Sequence, residues 1–279
     1  MIYGLVNKMA KLCDAFSIFI ILFCIACSAG CTDVLKYANL YDAKPVYHIG
    51  VNAEFPPMSY VDTDTSLRGF DIESAQWIGE EMGFEVVFVP LLWKNLLPML
   101  ASQGVDMVYT GMTITRERAE QVSFSNPYLI IDQSVATYIN SGLTMEEFSE
   151  GNGKIGVQQG TAGEKWVVDN LIEKEKLSLS QLVHYDSFPS AAYALSEKKL
   201  DFIICDTIAT RDSIVDLPVH IIGNIKTSEA YGIAVQKGDV ELLNTVNEGL
   251  IRLMDSPKWQ ELLEKYQLTP YALSPPISI

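Results

Sequence analysis

The stretch DMVYTGMTITRERAEQVSFSNPY, residues 106–128, sets three threonines and two arginines between a short apolar run and an apolar-aromatic one. Hydroxyls and a guanidinium displayed together suit an anion. If the run DMVYT is a strand ending at Thr110, Gly111 lets backbone and ligand approach closely, and Thr113 offers a hydroxyl and an amide. Thr115 can cap the turn that holds Glu117 and Arg118. Arg118 is then a fork able to grip a carboxylate through two parallel hydrogen bonds. A plainer reading stays open: Thr115 is only a helix cap, and Arg118 only a surface partner of Glu117 or Glu120.

A second anion site is written in VQQGTAGEKW, residues 157–166. The run passes from strand to helix through Gly160 and Gly163, and the amides of Thr161 and Ala162 lie at a helix amino end, where partial positive charge favours an anion. Thr161 and Glu164 also have the T-x-x-E spacing of a capping box, which would satisfy some of those donors internally. Asp206 closes the strand DFIIC and could accept from an ammonium group, or be a solvated turn residue. Phe55 and Trp93 each follow a strand and could wall a ligand's side chain or simply pack as satellite core. His48, His184 and His220 show no metal-binding spacing, and there is no G-x-S-x-G elbow, so no metal or cofactor is expected.

The elements that must position these groups alternate. Strands are expected at Tyr47 to Val51, Glu85 to Val89 and Asp106 to Thr110. Between them fall a helix from Asp71 to Met82, stopped by Gly83, and a short helix around Asn95 to Ser102 with Pro98 in its first turn. The pattern restarts at KIGVQ, residues 154–158, with a helix from Glu164 to Glu175, a strand at 182–185, a helix from Ser190 to Glu197 and the strand 201–205. Two extended runs, 133–142 and 229–238, separate the halves and suggest two lobes. A helix from Val240 to Asp255 follows, with Leu242, Leu243, Val246, Leu250 and Leu253 on one side, and then a second one capped by Ser256 with Pro257 as its first residue. The fold class is α/β, and in open sheets of that class ligands sit beyond the carboxyl ends of the strands.

The chain has 279 residues, 48% of them hydrophobic, and a formal charge of -15. Such a surface repels phosphates, which argues against a nucleic-acid partner. Lys8 and Lys11 precede an apolar run from Ala15 to Ala26, followed by Ser28, Ala29, Gly30 and Cys31, the layout of an export signal over residues 1–30. The run is shorter than the roughly 20 residues that span a bilayer. Small residues before a cysteine resemble a lipoprotein cleavage site, so Cys31 is expected to carry a lipid anchor, although Ser28 stands where leucine is commoner; an uncleaved anchor is the alternative. Cys13, Cys24, Cys27 and Cys31 belong to this segment, leaving Cys205 alone in the folded part, with no disulfide to form there.

The runs NAEFPPMSY, LRGFDIESA, GVDMVYTGMTITRERAEQVSFSNPY, VQQGTAG, LDFIICD and YGIAVQKG follow one another in a familiar order. From Val46 to Leu268 the chain resembles the extracellular solute-binding proteins of ABC importers for polar amino acids, family 3, which includes glutamine-, histidine- and lysine/arginine/ornithine-binding proteins. The resemblance implies a two-lobed type II periplasmic-binding-protein clamp, each lobe a sheet flanked by helices, with two hinge crossings. After a tether, 31–44, lobe one would take 45–133 plus 230–272 and lobe two 134–229. By similarity Phe55 and Trp93 flank a free amino acid, and Thr110, Gly111 and Thr113 join Arg118 around its carboxylate. The amides near Thr161 and Ala162 add a contact from the other lobe, and Asp206 receives the ammonium. Asn52, Gln158 and Cys205, all neutral, are the expected specificity positions and disfavour a cationic ligand, with Glu54 a reservation. The implied protein is an exported, monomeric receptor that delivers its ligand to a membrane permease, and not an enzyme. The alternative is a prephenate or arogenate dehydratase on the same fold.

Overall fold

The computed structural model describes residues 44–273. The export segment, Cys31 and the tether through Ala43 lie outside the described residues. Strands β1 (Val46–Val51), β2 (Glu54–Phe55), β3 (Ser59–Val61) and β4 (Leu67–Arg68) lead into helix α1 (Phe70–Met82), strand β5 (Glu85–Pro90), helix α2 (Leu96–Ala101) and strand β6 (Met107–Val108). Helix α3 (Arg116–Gln121), strand β7 (Val122–Phe124) and the long strand β8 (Leu129–Tyr138) follow. The next part holds α4 (Met145–Ser149), β9 (Ile155–Gln158), α5 (Ala162–Val167), β10 (Leu182–Tyr185), α6 (Phe188–Ser196), β11 (Phe202–Asp206) and α7 (Thr207–Ser213). Strand β12 (Val219–Tyr231) runs back, and β13 (Ala234–Gln236), α8 (Val240–Asp255) and α9 (Pro257–Lys265) complete the chain's main elements.

Two five-stranded sheets result, ordered β5-β1-β6-β13-β7 and β10-β9-β11-β8-β12, with a small antiparallel sheet β2-β3-β4 beside them. In each large sheet the strands of the α/β repeat are parallel, and the returning strands pair antiparallel. Burial on both faces explains why the inner strands β6, β9 and β11 read as near-continuous apolar runs, whereas the edge strand β5 has no fully buried residue. In the first sheet, Leu96, Leu100, Val105, Val108 and Val122 fill one side. Ile72 and Ile78 of α1 meet Val246, Leu250 and Leu262 from the carboxyl helices on the other. In the second, Phe148, Val167 and Leu171 cover one face, while Ala191, Leu195 and Ile208 cover the other. Helix α8 buries Leu242, Val246, Leu250 and Leu253, the stripe its 3.6-residue spacing predicts, with Leu243 at the margin.

Several expectations need correcting. The strand ending at Thr110 is confined to Met107–Val108, because the chain leaves the sheet there to build a loop. The run 229–238 is the end of a 13-residue strand, β12, followed by a break at Gly232 and the separate β13. The helix read as Glu164 to Glu175 starts at Ala162 and widens after Val167 into a turn where Glu173 N–H reaches Val168 O at 2.9 Å, one residue beyond α-helical spacing. Ser256 sits before α9, yet its hydroxyl donates back to Leu253 O at 2.7 Å instead of capping. No described helix is long and apolar enough to cross a membrane.

Candidate functional site

The loop after β6 is built by satisfied hydrogen bonds. Ser59 Oγ donates to Asn52 O at 2.8 Å, so at its 2.5 Å contact with Thr110 Oγ1 the threonine is the donor. Thr110 Oγ1 also accepts from Asn52 N at 3.0 Å, which leaves that hydroxyl occupied inside the loop's own frame. Gly111 takes the left-handed conformation, φ 57°, and its N–H donates to the buried Asp71 carboxylate at 2.5 Å. A Cβ on Gly111 would stand 2.6 Å from Phe55 Cε1, so the expected close approach is by the protein's own aromatic ring. Asp71 also accepts from Tyr128 OH at 3.0 Å; burial raises its pKa well above the ordinary carboxylate value, against those two donors.

Thr115 caps α3 by accepting from Arg118 N at 3.2 Å, as its spacing predicts. Arg118 is not a surface partner of Glu117 or Glu120. It is 8% exposed, donates from Nη1 to Thr113 O at 2.7 Å and from Nη2 to Gly160 O at 2.9 Å, and lies 5.1 Å from the centroid of the Trp93 ring. Burial lowers its pKa from the ordinary guanidinium value, opposed by the charges of Asp206 and Glu229. Trp93 Nε1 donates to the same Gly160 carbonyl at 3.0 Å, and its ring is 6.5 Å from that of Phe55.

The second helix end behaves in part as a capping box. Thr161 Oγ1 accepts from Glu164 N at 3.3 Å, but the Glu164 carboxylate takes Gly160 N–H at 2.5 Å rather than the Thr161 amide. His184 holds the other oxygen of Glu164 at 2.6 Å. No hydrogen bond among the described residues uses the amides of Thr161 or Ala162, both half-buried. A cavity of about 420 Å³ opens beside Thr115, Arg118, Thr161 and Ala162, and one of about 370 Å³ beside Trp93, Met112, Arg118 and Gly160.

Asp206 is 7% exposed at the end of β11 and directly precedes α7. It is no solvated turn residue. Its Oδ1 accepts from Gln133 Nε2 at 2.5 Å and its Oδ2 from the Tyr231 hydroxyl. Burial raises its pKa, and Tyr231, Gln133 and Arg118 oppose the rise. Glu229, which no local motif marks, joins the same group: its Oε2 accepts from Gln133 Nε2 at 3.0 Å and from Thr113 Oγ1 at 3.4 Å. Gln133, Glu229 and Tyr231 were missed because they sit on long strands with nothing local to set them apart. Only the antiparallel pairing of Gln133 with Asp206 and of β8 with β12 gathers them.

The other expected positions divide. Asn52 is buried at the end of β1, its Oδ1 spent on Glu54 N at 3.0 Å, and Gln158 is buried at the end of β9 with Nε2 on Asp186 O at 3.1 Å. Glu54 itself is exposed. Cys205 does not join the polar group, because side chains alternate along a strand and its thiol lies in the apolar cluster with Ile208 and Ala209. Burial pushes that thiol's pKa well up. The assembled centre therefore offers one buried guanidinium, two carboxylates, two aromatic rings and helix-end amides: a surface for a small molecule carrying both signs of charge.

Comparison with known proteins fits this picture. The profile of the bacterial extracellular solute-binding proteins, family 3, matches residues 47–269. A probable histidine-binding protein of Neisseria gonorrhoeae is 27% identical over 252 residues, covering 87% of this chain and 92% of that protein. The L-cystine-binding protein TcyJ of Escherichia coli K12 is 28% identical over 221 residues, covering 78% and 81%. An ancestral arginine-binding protein solved with arginine superposes with a TM-score of 0.74 at 31% identity, covering 80% of this chain and 98% of that one. These relatives are binding proteins and not enzymes, and the fold is the two-lobed clamp of periplasmic binding proteins. By profile, sequence and fold alike, the chain belongs to the bacterial extracellular solute-binding proteins, family 3.

Proposed function

We propose that this protein is an exported, lipid-anchored receptor that binds one free L-amino acid between two lobes and delivers it to an ABC import permease. The observation that carries the reading is that a buried Arg118 and a buried Asp206, opposite charges on separate elements, feel each other's charge without touching, with Trp93 and the helix-end amides beside Arg118. Arg118 would take the α-carboxylate with Thr113 and the amides of Thr161 and Ala162, and Gly111 would contribute by holding the loop open. Asp206 would take the α-ammonium, and Phe55 and Trp93 would flank the side chain. The lobes would be 45–133 plus 230–272 and 134–229, hinged on β8 and β12, with closure completing the site. Asn52 and Gln158, both buried and neutral, favour a neutral polar or bulky side chain over a cationic one.

Isothermal titration of the purified protein against the twenty standard amino acids, ornithine and cystine tests this. One or a few should bind near micromolar affinity, on the order of 8 kcal/mol. Their N-acetyl and methyl-ester derivatives, each lacking one pole, should not. Binding of derivatives as tight as the parent compound would overturn the zwitterion reading.

A further inference from the structure

Glu229 stands where neither the capping motifs nor the strand ends place a functional group. Its carboxylate and that of Asp206 accept from one and the same nitrogen, Gln133 Nε2, at 3.0 and 2.5 Å, so the two acids face each other closely. Gln133 is fully buried and its Oε1 has no partner, lying on the Cβ side of Gly163. The amide is therefore committed to the carboxylates and can neutralise neither. From the other side Thr113 donates its hydroxyl proton to Glu229 at 3.4 Å. A cavity of about 220 Å³ lies against Thr113, Ala162, Lys165, Asp169 and Glu229.

We propose that Glu229 is a specificity residue of this site: a second carboxylate that, with Asp206, sets a preference for ligands presenting a protonated amine there, and that is ionised in the complex, giving up its proton on binding wherever the free protein holds one. The proposal rests on the amino-acid reading above. Two facing acids with only a neutral amide between them repel; an ammonium placed between them removes that repulsion. Burial first, and then the charge of Asp206, raise the Glu229 pKa to about 7, against Gln133, Thr227 and Thr113. The charged and titratable groups around it are Asp206 and the Cys205 thiol on β11, Tyr231 on its own strand, Arg118 on α3, and Lys165 and Asp169 across the cavity. Of these Arg118 is already committed to Thr113 O and Gly160 O. A bound ammonium lowers the Glu229 pKa, so below about pH 7 binding must expel the proton.

The test uses L-arginine, L-histidine, L-glutamine and L-cystine as probes, titrated calorimetrically into wild type and Glu229→Gln from pH 5.5 to 8.5 in buffers of differing ionisation enthalpy. In wild type, each probe that binds should release close to one proton at the acid end and lose affinity by up to about tenfold per pH unit below 7. Glu229→Gln should bind more weakly at pH 8, release no proton and show a flat profile. A merely structural role would lower affinity equally at every pH. In parallel, carbon NMR of the ligand-free protein should show Glu229 titrating well above the ordinary glutamate range and moving down in Asp206→Asn. The proposal is overturned if Glu229→Gln keeps the wild-type pH profile, or if Glu229 titrates normally and ignores Asp206→Asn. If wild type binds none of these four probes, the ligand-free titration decides the carboxylate pair by itself, and the amino-acid reading is judged by the wider titration described above.

Discussion

A buried guanidinium and a buried carboxylate that do not neutralise each other directly are costly to keep, and here each is held by neutral partners instead. Arg118 rests on two main-chain carbonyls, and Asp206 on a tyrosine and a glutamine. Under the amino-acid reading the ligand supplies the missing counter-charges. Removing one partner of such a pair costs roughly 2 to 5 kcal/mol, at least about 30-fold in Kd. Arg118→Ala and Asp206→Ala should each therefore abolish binding at micromolar ligand, as read by titration. Glu229 also makes folding stability depend on pH. Its pKa in the folded protein is about 7, above that of an unfolded glutamate, so the folded state holds the proton more tightly between those two values. Stability must fall as pH rises through that window. Glu229→Gln, which cannot ionise, should match wild type at pH 4.5 and melt higher than wild type at pH 8. Arg118 and Asp206 were legible because each ends or follows a recognisable strand. Gln133, Glu229 and Tyr231 were not, since Glu229 meets Gln133 across 96 residues and only through strand pairing.

At the level of elements, the loop from Tyr109 to Thr115 owes its shape to buried side chains behind it more than to its own sequence. Asp71, from the first turn of α1, pins Gly111, and Ser59 with Asn52 pins Thr110. The left-handed turn at Gly111 costs a non-glycine residue roughly 1 to 2 kcal/mol, and a methyl there would also press on Phe55 at 2.6 Å. Gly83 is a useful control: it has φ 81° but open space around its Cβ direction. In urea unfolding both Gly→Ala variants should lose about that backbone increment, while Gly111→Ala should lose more and also bind ligand poorly. Equal losses would mean that the Phe55 contact relaxes freely. The alternation of strands and helices was readable along most of the chain, because hydrophobic periodicity is a local property. The extent of β12 and the short α7 after Asp206 were not, since a 13-residue strand with two irregularities in its register carries no even alternation.

Two paired antiparallel strands, β8 and β12, connect the two large sheets, and across the crevice side chains of one half reach side chains and main chain of the other. The contacts there are of two kinds. Trp93 and Arg118 converge on one carbonyl, that of Gly160, with Arg118 buried and Trp93 half-buried. Lys94 and Asp186 form an ion pair at 2.7 Å whose side chains are 47% and 63% exposed. An exposed pair of this sort contributes roughly 0 to 1 kcal/mol and is screened by salt. The indole, by contrast, stacks near a guanidinium, meets Phe55 and donates to the opposite half, all within the crevice. Lys94→Ala should therefore change ligand affinity less than about fivefold, and the difference should vanish in 0.5 M salt. Trp93→Ala should weaken binding far more, independently of salt, and Trp93→Phe should recover part of the loss by restoring the ring without its donor. Small-angle scattering on the same variants with and without ligand would show whether the loss lies in closure. If closure depends on the shared Gly160 carbonyl, Trp93→Phe should stay more open at saturating ligand than wild type. If closure depends instead on the ion pair, Lys94→Ala should be the open one and Trp93→Phe should close normally.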